Sequence, residues 1–348
     1  MLRFAVVALA LGLGHSIAVA DEPVSFQGKT VTMIIGSAPG GGTDISGRAI
    51  ANFLASHLPG KPEVVVRNIP GAQGVTAMNY FVQQVAPDGL TIIMGSTSQA
   101  DPLLYRKPAS HFDPTKFYIL GGVARGGTVL MIRKDAEARL FDKSKPPVVM
   151  GSLGGIPRSG MQTTAWGISV LGWNAKWVVG YPGTNELLLA LDRGEIDMTA
   201  TANLFQIQKL LGSGKFKILT QSGVMKNGQF VPRPEFGDAP PAATLMEDKI
   251  SDPVAKQGFQ YWASLTALDK WFALPPKTPE PMVKAYRAAF KEAADDPAFA
   301  EAGKKVSDEF TPMSYEDVTL LIGKLGSIQP EALTYISTML HKQGLEGE

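Results

Sequence analysis

Two short segments present backbone donors to a ligand, and the usual groups of catalysis are missing around them. Pro39-Gly40-Gly41-Gly42-Thr43-Asp44 and Pro70-Gly71-Ala72-Gln73-Gly74 each stand between a β-rich apolar run and a helical pattern. A helix start leaves its first N–H groups without intrahelical partners and carries partial positive charge. Glycine lets a ligand approach those groups without meeting a Cβ. Two such starts facing one point make an anion site that needs neither lysine nor arginine. Gly41 and Gly42, with Ala72 and Gly74, are the positions where this approach is expected. Asp44 has an equally ordinary role as a helix N-cap.

Other chemistries lack their parts. Residues 36–47 have neither the Gly-Lys-Ser/Thr ending of a P-loop nor the G-x-G-x-x-G spacing, which argues against a nucleotide site. No G-x-S-x-G elbow occurs. The chain has no cysteine, which excludes a thiol nucleophile, an iron–sulfur cluster and a cysteine zinc site. Past the leader the histidines are His57, His111 and His341, and none has a zinc ligand four residues on. A hydrolase built on Ser96 or Asp44 would have no histidine base nearby in sequence. No enzyme activity, cofactor or metal is therefore expected. The tryptophans at 166, 173, 177, 262 and 271 fall in apolar patterns and read as core.

Arg3, the apolar run 4–13 and Ala18-Val19-Ala20 before Asp21 read as a signal peptide over residues 1–20, cleaved after Ala20. A membrane span needs about 20 apolar residues, and Gly12, Gly14, His15 and Ser16 interrupt this one. The expected location is the periplasm. Without Arg3, 32 basic side chains balance 32 acidic ones, so no nucleic-acid partner is expected. The remaining 328 residues suit two domains.

The elements that must position the turns alternate. Strands are expected at 30–35, 63–67 and 90–94, the last ending in Gly95-Ser96-Thr97, with helices after the first two turns. A second α/β unit follows. It has strands at 148–150, 176–179, 196–199 and 216–220, helices at 161–171, 185–193 and 204–211, and turns at 151–160 and 180–183. Residues 259–267 read as one more strand. Helices then follow at 282–294, after a capping box at Ser314 and Asp317, and from Pro330. The order implies α/β lobes, each a mixed, mostly parallel sheet flanked by helices.

These turns resemble those of the substrate-binding proteins of tripartite tricarboxylate transporters, the TctC-like or Bug family. The likeness includes Arg48 after the first turn, Asn68-Ile69 before the second, and Ala86-Pro87-Asp88-Gly89-Leu90-Thr91. It continues through Tyr181-Pro182-Gly183-Thr184, Gly194-Glu195-Ile196-Asp197 and Ala273-Leu274-Pro275-Pro276-Lys277-Thr278-Pro279. It implies a monomeric, two-lobed Venus flytrap. Residues 21–122 with 222–348 would form the lobe that anchors a carboxylate, and 123–221 the lobe that sets specificity. Hinges are expected near Gly121-Gly122 and Ser222-Gly223. The ligand would be a small organic carboxylate, a di- or tricarboxylate or an aromatic acid. The partners would be the large and small integral membrane subunits of an ion-driven transporter.

Carried onto this chain, the resemblance assigns Gly41, Gly42, Thr43, Asp44, Ala72, Gln73 and Gly74 to the carboxylate, with Ser96 and Thr97 as side-chain donors beside them. In the second lobe Tyr181, Pro182, Gly183 and Thr184 would face the ligand's far end, with Tyr181 able to stack on an aromatic acid. Arg158 reads either as a partner for a second carboxylate or as a solvated turn residue, and Asp197 either as an aid to closure or as an ordinary capping or turn residue. The sequence departs from the family at Ile156-Pro157-Arg158-Ser159 and at Gln73, where glycine is commoner. A second reading on the same fold is a ligand-presenting protein for a membrane histidine kinase.

Overall fold

The computed structural model describes residues 24–124, 127–157, 160–226, 229–304 and 310–345. The expected leader, residues 1–20, lies outside them. In chain order come β1 (Thr30–Ile35), α1 (Gly42–His57), β2 (Glu63–Asn68), α2 (Val75–Gln84), β3 (Thr91–Ser96), the short helices α3 (Thr97–Ala100) and α4 (Pro102–Tyr105), and β4 (Tyr118–Ala124). A second unit follows: β5 (Val129–Arg133), α5 (Glu137–Leu140), β6 (Val148–Ser152), α6 (Gln162–Trp166), β7 (Ala175–Val179), α7 (Thr184–Arg193), β8 (Met198–Thr201), α8 (Leu204–Gly212) and β9 (Phe216–Gln221). A π-helical turn at Gly167–Leu171 extends α6. The hairpin β10 (Val224–Lys226) and β11 (Gln229–Val231) leads to α9 (Ala242–Met246), α10 (Pro253–Ser264) and β12 (Lys270–Leu274). The chain closes with α11 (Glu280–Asp295), α12 (Pro297–Lys304), β13 (Thr311–Met313), α13 (Tyr315–Gly326) and α14 (Pro330–His341).

Two larger sheets organise these elements. The first has the order β13-β4-β12-β3-β1-β2, parallel where β1 meets β2 and β3, and antiparallel on both sides of β12. The second has the order β7-β6-β8-β5-β9, parallel at β6 and antiparallel on both sides of β5. Both are mixed sheets flanked by helices, in keeping with the expected two-lobed α/β class, but neither is mostly parallel, because β4, β12 and β13 in the first and β5 in the second pair antiparallel. The run Thr30–Ile35 is continuously apolar past its first residues because both of its faces are covered. Val31, Met33 and Ile35 pack with Ile50 and Leu54 of α1, while Ile34 enters a second cluster with Met78 and Phe81 of α2. Since β1, β2 and β3 run in parallel, their carboxyl ends share one edge of the sheet. The turns that follow them meet there, where open α/β sheets take ligands. β6, β7 and β8 present a matching edge.

Residues 259–267 are not a strand. They end α10 and form the 3₁₀ turn Leu265–Ala267. Asp252 caps α10, accepting from the Ala255 amide at 2.7 Å, and Pro253 holds the first turn. The strand is the next stretch, β12, buried along its whole length. Phe259 and Trp262 instead pack on Trp166 of α6, at 5.2 and 6.2 Å between ring centroids, and Tyr335 of α14 stacks on the same ring at 6.1 Å. Thus α10 and α14 cover a helix of the second sheet. Trp173 and Trp271 are buried as well, whereas Trp177 is half-buried and bonds Gln343.

Gly121 and Gly122, expected at the crossing between lobes, lie inside β4. A Cβ on Gly121 would come 2.3 Å from the Phe290 ring, and one on Gly122 would come 2.5 Å from the Lys270 carbonyl. The chain crosses a few residues later, and the Ser222 amide donates to the Thr128 carbonyl at 2.8 Å, so the two connecting segments pair.

Ser314 caps α13, but the reciprocal bond of a capping box is replaced by one between the two side chains. The Asp317 amide donates to Ser314 Oγ at 3.1 Å, and that hydroxyl donates to Asp317 Oδ2 at 2.8 Å. Ser314→Ala is expected to cost roughly 1 kcal/mol and to lower the melting midpoint by about 2–4 °C, which a thermal melt beside the parent protein will read.

Candidate ligand-binding site

The first turn is braced from within. Asp44 Oδ2 accepts from the Gly40 amide and from Arg48 Nε, each at 2.9 Å, and Oδ1 accepts from Asn68 Nδ2 at 2.8 Å. The Asn68 amide group also donates to the Ser37 carbonyl at 2.9 Å. Burial alone would raise the Asp44 pKa, but the bonds from Arg48, Asn68 and Gly40 outweigh it and hold the carboxyl below its ordinary value. With both oxygens engaged, Asp44 fixes the loop to the end of β2. Gly41, the N-cap of α1, has no side chain to close the helix, so the first amides of α1 are left for a ligand or water.

The second turn lies directly against the first. A Cβ on Gly36, just past β1, would fall 2.9 Å from the Gly74 Cα, so glycine is what lets the two turns touch. Ala72 and Gln73 both adopt left-handed backbone, with φ of 44° and 56°. Gln99 ties this turn to the end of β3: its Nε2 donates to the Gln73 carbonyl, and its Oε1 accepts from the Ser96 amide at 2.7 Å and the Ser96 hydroxyl at 2.8 Å. Thr97 Oγ1 donates to the Leu268 carbonyl.

Both turns wall one cavity of ≈ 770 Å³ between the two sheets, and its other wall is the turns after β6 and β7. Gly41, Gly42, Thr43, Ala72, Gln73, Gly74, Tyr181, Pro182, Gly183 and Thr184 all line it. An adjoining cavity of ≈ 110 Å³ shares Gly42, Thr43 and Thr184 and adds Ser96 and Thr97. The structure therefore gathers twelve of the fifteen candidates. Asp44 and Asp197 line neither cavity. Asp197 pairs with Arg139 at 2.8 Å and accepts from the Val149 amide at 2.9 Å, which locks the start of β6. Arg158 lies outside the described residues.

The smaller cavity also holds groups that sequence reasoning missed. Thr128, Thr201, Asn203 and Gln206 come from the second unit, and Asp269 and Lys270 from the start of β12. Lys270 Nζ donates to Asp269 Oδ1 at 2.5 Å, and Lys270 pairs in register with Ser96. Thr201 Oγ1 donates to Gln206 Oε1 at 2.7 Å, while Asn203 caps α8 through the Gln206 amide. The short polar residues carry no sequence signal beyond that of ordinary strand ends. Lys270 would have stood out had β12 been placed correctly. Among the described residues neither cavity is lined by arginine or histidine, while Lys107 lines the larger one and Lys270, beside Asp269, the smaller.

A cleft between the carboxyl edges of two α/β sheets, walled by amide-bearing turns from both, defines a two-lobed solute-binding protein. The chain belongs to the tripartite tricarboxylate transporter family receptors, whose pattern it matches over residues 47–325; these are binding proteins and not enzymes. It is 28% identical over 307 residues to a UPF0065 protein of Bordetella pertussis, covering 85% of each chain. Its fold is similar to that of the periplasmic binding protein BugD, with TM-score 0.67, 19% identity and coverage of 91% of this chain and 98% of the other. It is also similar to that of MatC from Rhodopseudomonas palustris with bound malate, with TM-score 0.64, 19% identity and coverage of 89% and 98%.

Proposed function

We propose that this chain captures a small organic carboxylate between its lobes in the periplasm and delivers it to the integral membrane subunits of a tripartite transporter. The observation that carries the reading is the meeting of two amide-bearing turns, 41–43 and 72–74, on one cavity between the sheets. A carboxylate placed there would receive hydrogen bonds from a helix start and from a left-handed turn, and closure would strengthen each bond by removing water. The malate in MatC supports an acid of this size. Export rests on the leader at residues 1–20, and no helix among the described residues is long and apolar enough to cross a membrane.

The test is a thermal-shift screen of the mature chain against malate, other di- and tricarboxylates, aromatic acids, neutral sugars and amino amides. A ligand at 100 times its Kd adds about 2.7 kcal/mol, a rise of several degrees at about 2–4 °C per kcal/mol. A midpoint that moves with sugars or amides and with no acid overturns the reading.

A further inference from the structure

Gln73 occupies a backbone conformation that disfavours it. At φ 56° and ψ 29°, beside Ala72 at φ 44°, it stands in the left-handed region that only glycine, and to a lesser degree Asn and Asp, visits routinely. Its backbone is held from the first lobe by Gln99, but its side chain leaves that lobe. Gln73 Nε2 donates at 2.9 Å to the carbonyl of Ile156, in the turn after β6 of the second sheet. On the way it lies over Gly154, where a Cβ would come within 2.1 Å of Nε2. Gln73 and Ile156 together line the large cavity and also a small cavity of ≈ 10 Å³ shared with Thr97 and Asp101. They therefore stand as a partition between the two.

We propose that Gln73 is a cross-cleft latch. Its side-chain amide holds the turn after β6 against the second turn of the first lobe when no ligand is present, and it forms that wall of the ligand cavity. The strained backbone is what aims the side chain across the cleft instead of along its own turn. One neutral hydrogen bond shifts a two-state equilibrium by roughly twofold to tenfold, enough to set how much of the ligand-free protein is closed. The latch does not depend on the identity of the ligand, so its failure would leave the carboxylate reading standing.

The absence of cysteine makes a distance measurement clean. Asn52→Cys on α1 and Asp192→Cys on α7, both exposed, take spin labels, and pulsed dipolar spectroscopy on ligand-free protein reads the separation of the lobes. With Gln73 intact a short-distance population is expected. Gln73→Gly relieves the backbone and keeps the turn, so the fold persists and the short population falls several-fold toward longer distances. Gln73→Asn tolerates the same backbone but is one methylene shorter, and it behaves like the glycine variant. Distributions of both variants that superimpose on that of the labelled Gln73 protein overturn the proposal. A single long distance in the ligand-free Gln73 protein does so too.

Discussion

Ala72→Asp is expected to weaken binding of the best acid from the screen by about 1,000-fold while leaving the fold cooperative. Ala72 is exposed, lines the large cavity and sits at φ 44°. Aspartate tolerates that backbone better than most residues, so the turn accepts it. The new carboxylate would face the proposed ligand carboxylate at close range. Two like charges 4 Å apart at an effective dielectric of about 20 repel by about 4 kcal/mol, which is close to three decades in Kd. Ala72→Asn supplies the same shape without the charge and is expected to stay within about tenfold of the parent. Calorimetric titration of the three proteins separates the cases. Equal affinity for Ala72→Asp and the parent would move the anion away from this turn, and equal loss in both variants would mean that size, not charge, is limiting there.

The near wall of this site was legible because glycine and proline at a strand end have few structural uses. Pro39 to Asp44 and Pro70 to Gly74 could only be turns, and parallel pairing of β1, β2 and β3 then brought them together. Asp44 left two readings open for a physical reason. A carboxylate in the first turn of a helix can serve a ligand site or brace the turn, and only long-range bonds such as that to Asn68, beside those to Gly40 and Arg48, show that its side chain is the brace. The stretch 253–274 failed differently. Aromatic density at Phe259, Tyr261 and Trp262 mimics a buried strand, yet Ala255, Phe259 and Trp262 are spaced for one helical face, and Asp252-Pro253 is a helix start. Gly121 and Gly122 read as a hinge because they stand near the crossing between the two α/β units; the crowding by Phe290 and by the Lys270 carbonyl that requires them comes from residues about 150 to 170 positions later. The polar wall of the smaller cavity was illegible for the same reason. Thr128, Thr201 and Lys270 meet only because the two sheets face each other across that cavity, which periodicity does not encode.

Asp101 carries the second large effect, and it concerns pH. It caps α4 with its carboxyl buried, and Oδ1 accepts from Tyr261 Oη at 2.6 Å and from the Leu103 amide at 2.9 Å. Burial pushes its pKa up, and the bonds from Tyr261, Leu103 and Gln162 pull it only part of the way back, to about 6 from 3.8. Between those values the folded protein keeps a proton that the unfolded chain releases. Stability from this group is therefore fully present below pH 3.8 and is lost as pH rises to about 6, by about 3 kcal/mol in all. Asp44 acts with the opposite sign and in a separate window, because its lowered pKa makes its contribution disappear only as pH falls below 3.8. Asp101→Asn keeps an acceptor for Tyr261 and Leu103 and never ionises. Its amide also adds a donor near Gln162, whose Oε1 is buried without a partner. The variant should match the parent near pH 4, lack its decline between about pH 4 and 6, and exceed it by as much as about 3 kcal/mol at about pH 7.5. Urea midpoints across this pH range will show this. A variant no more stable than the parent at about pH 7.5 would mean that the three donors fully offset the burial of the ionised carboxylate.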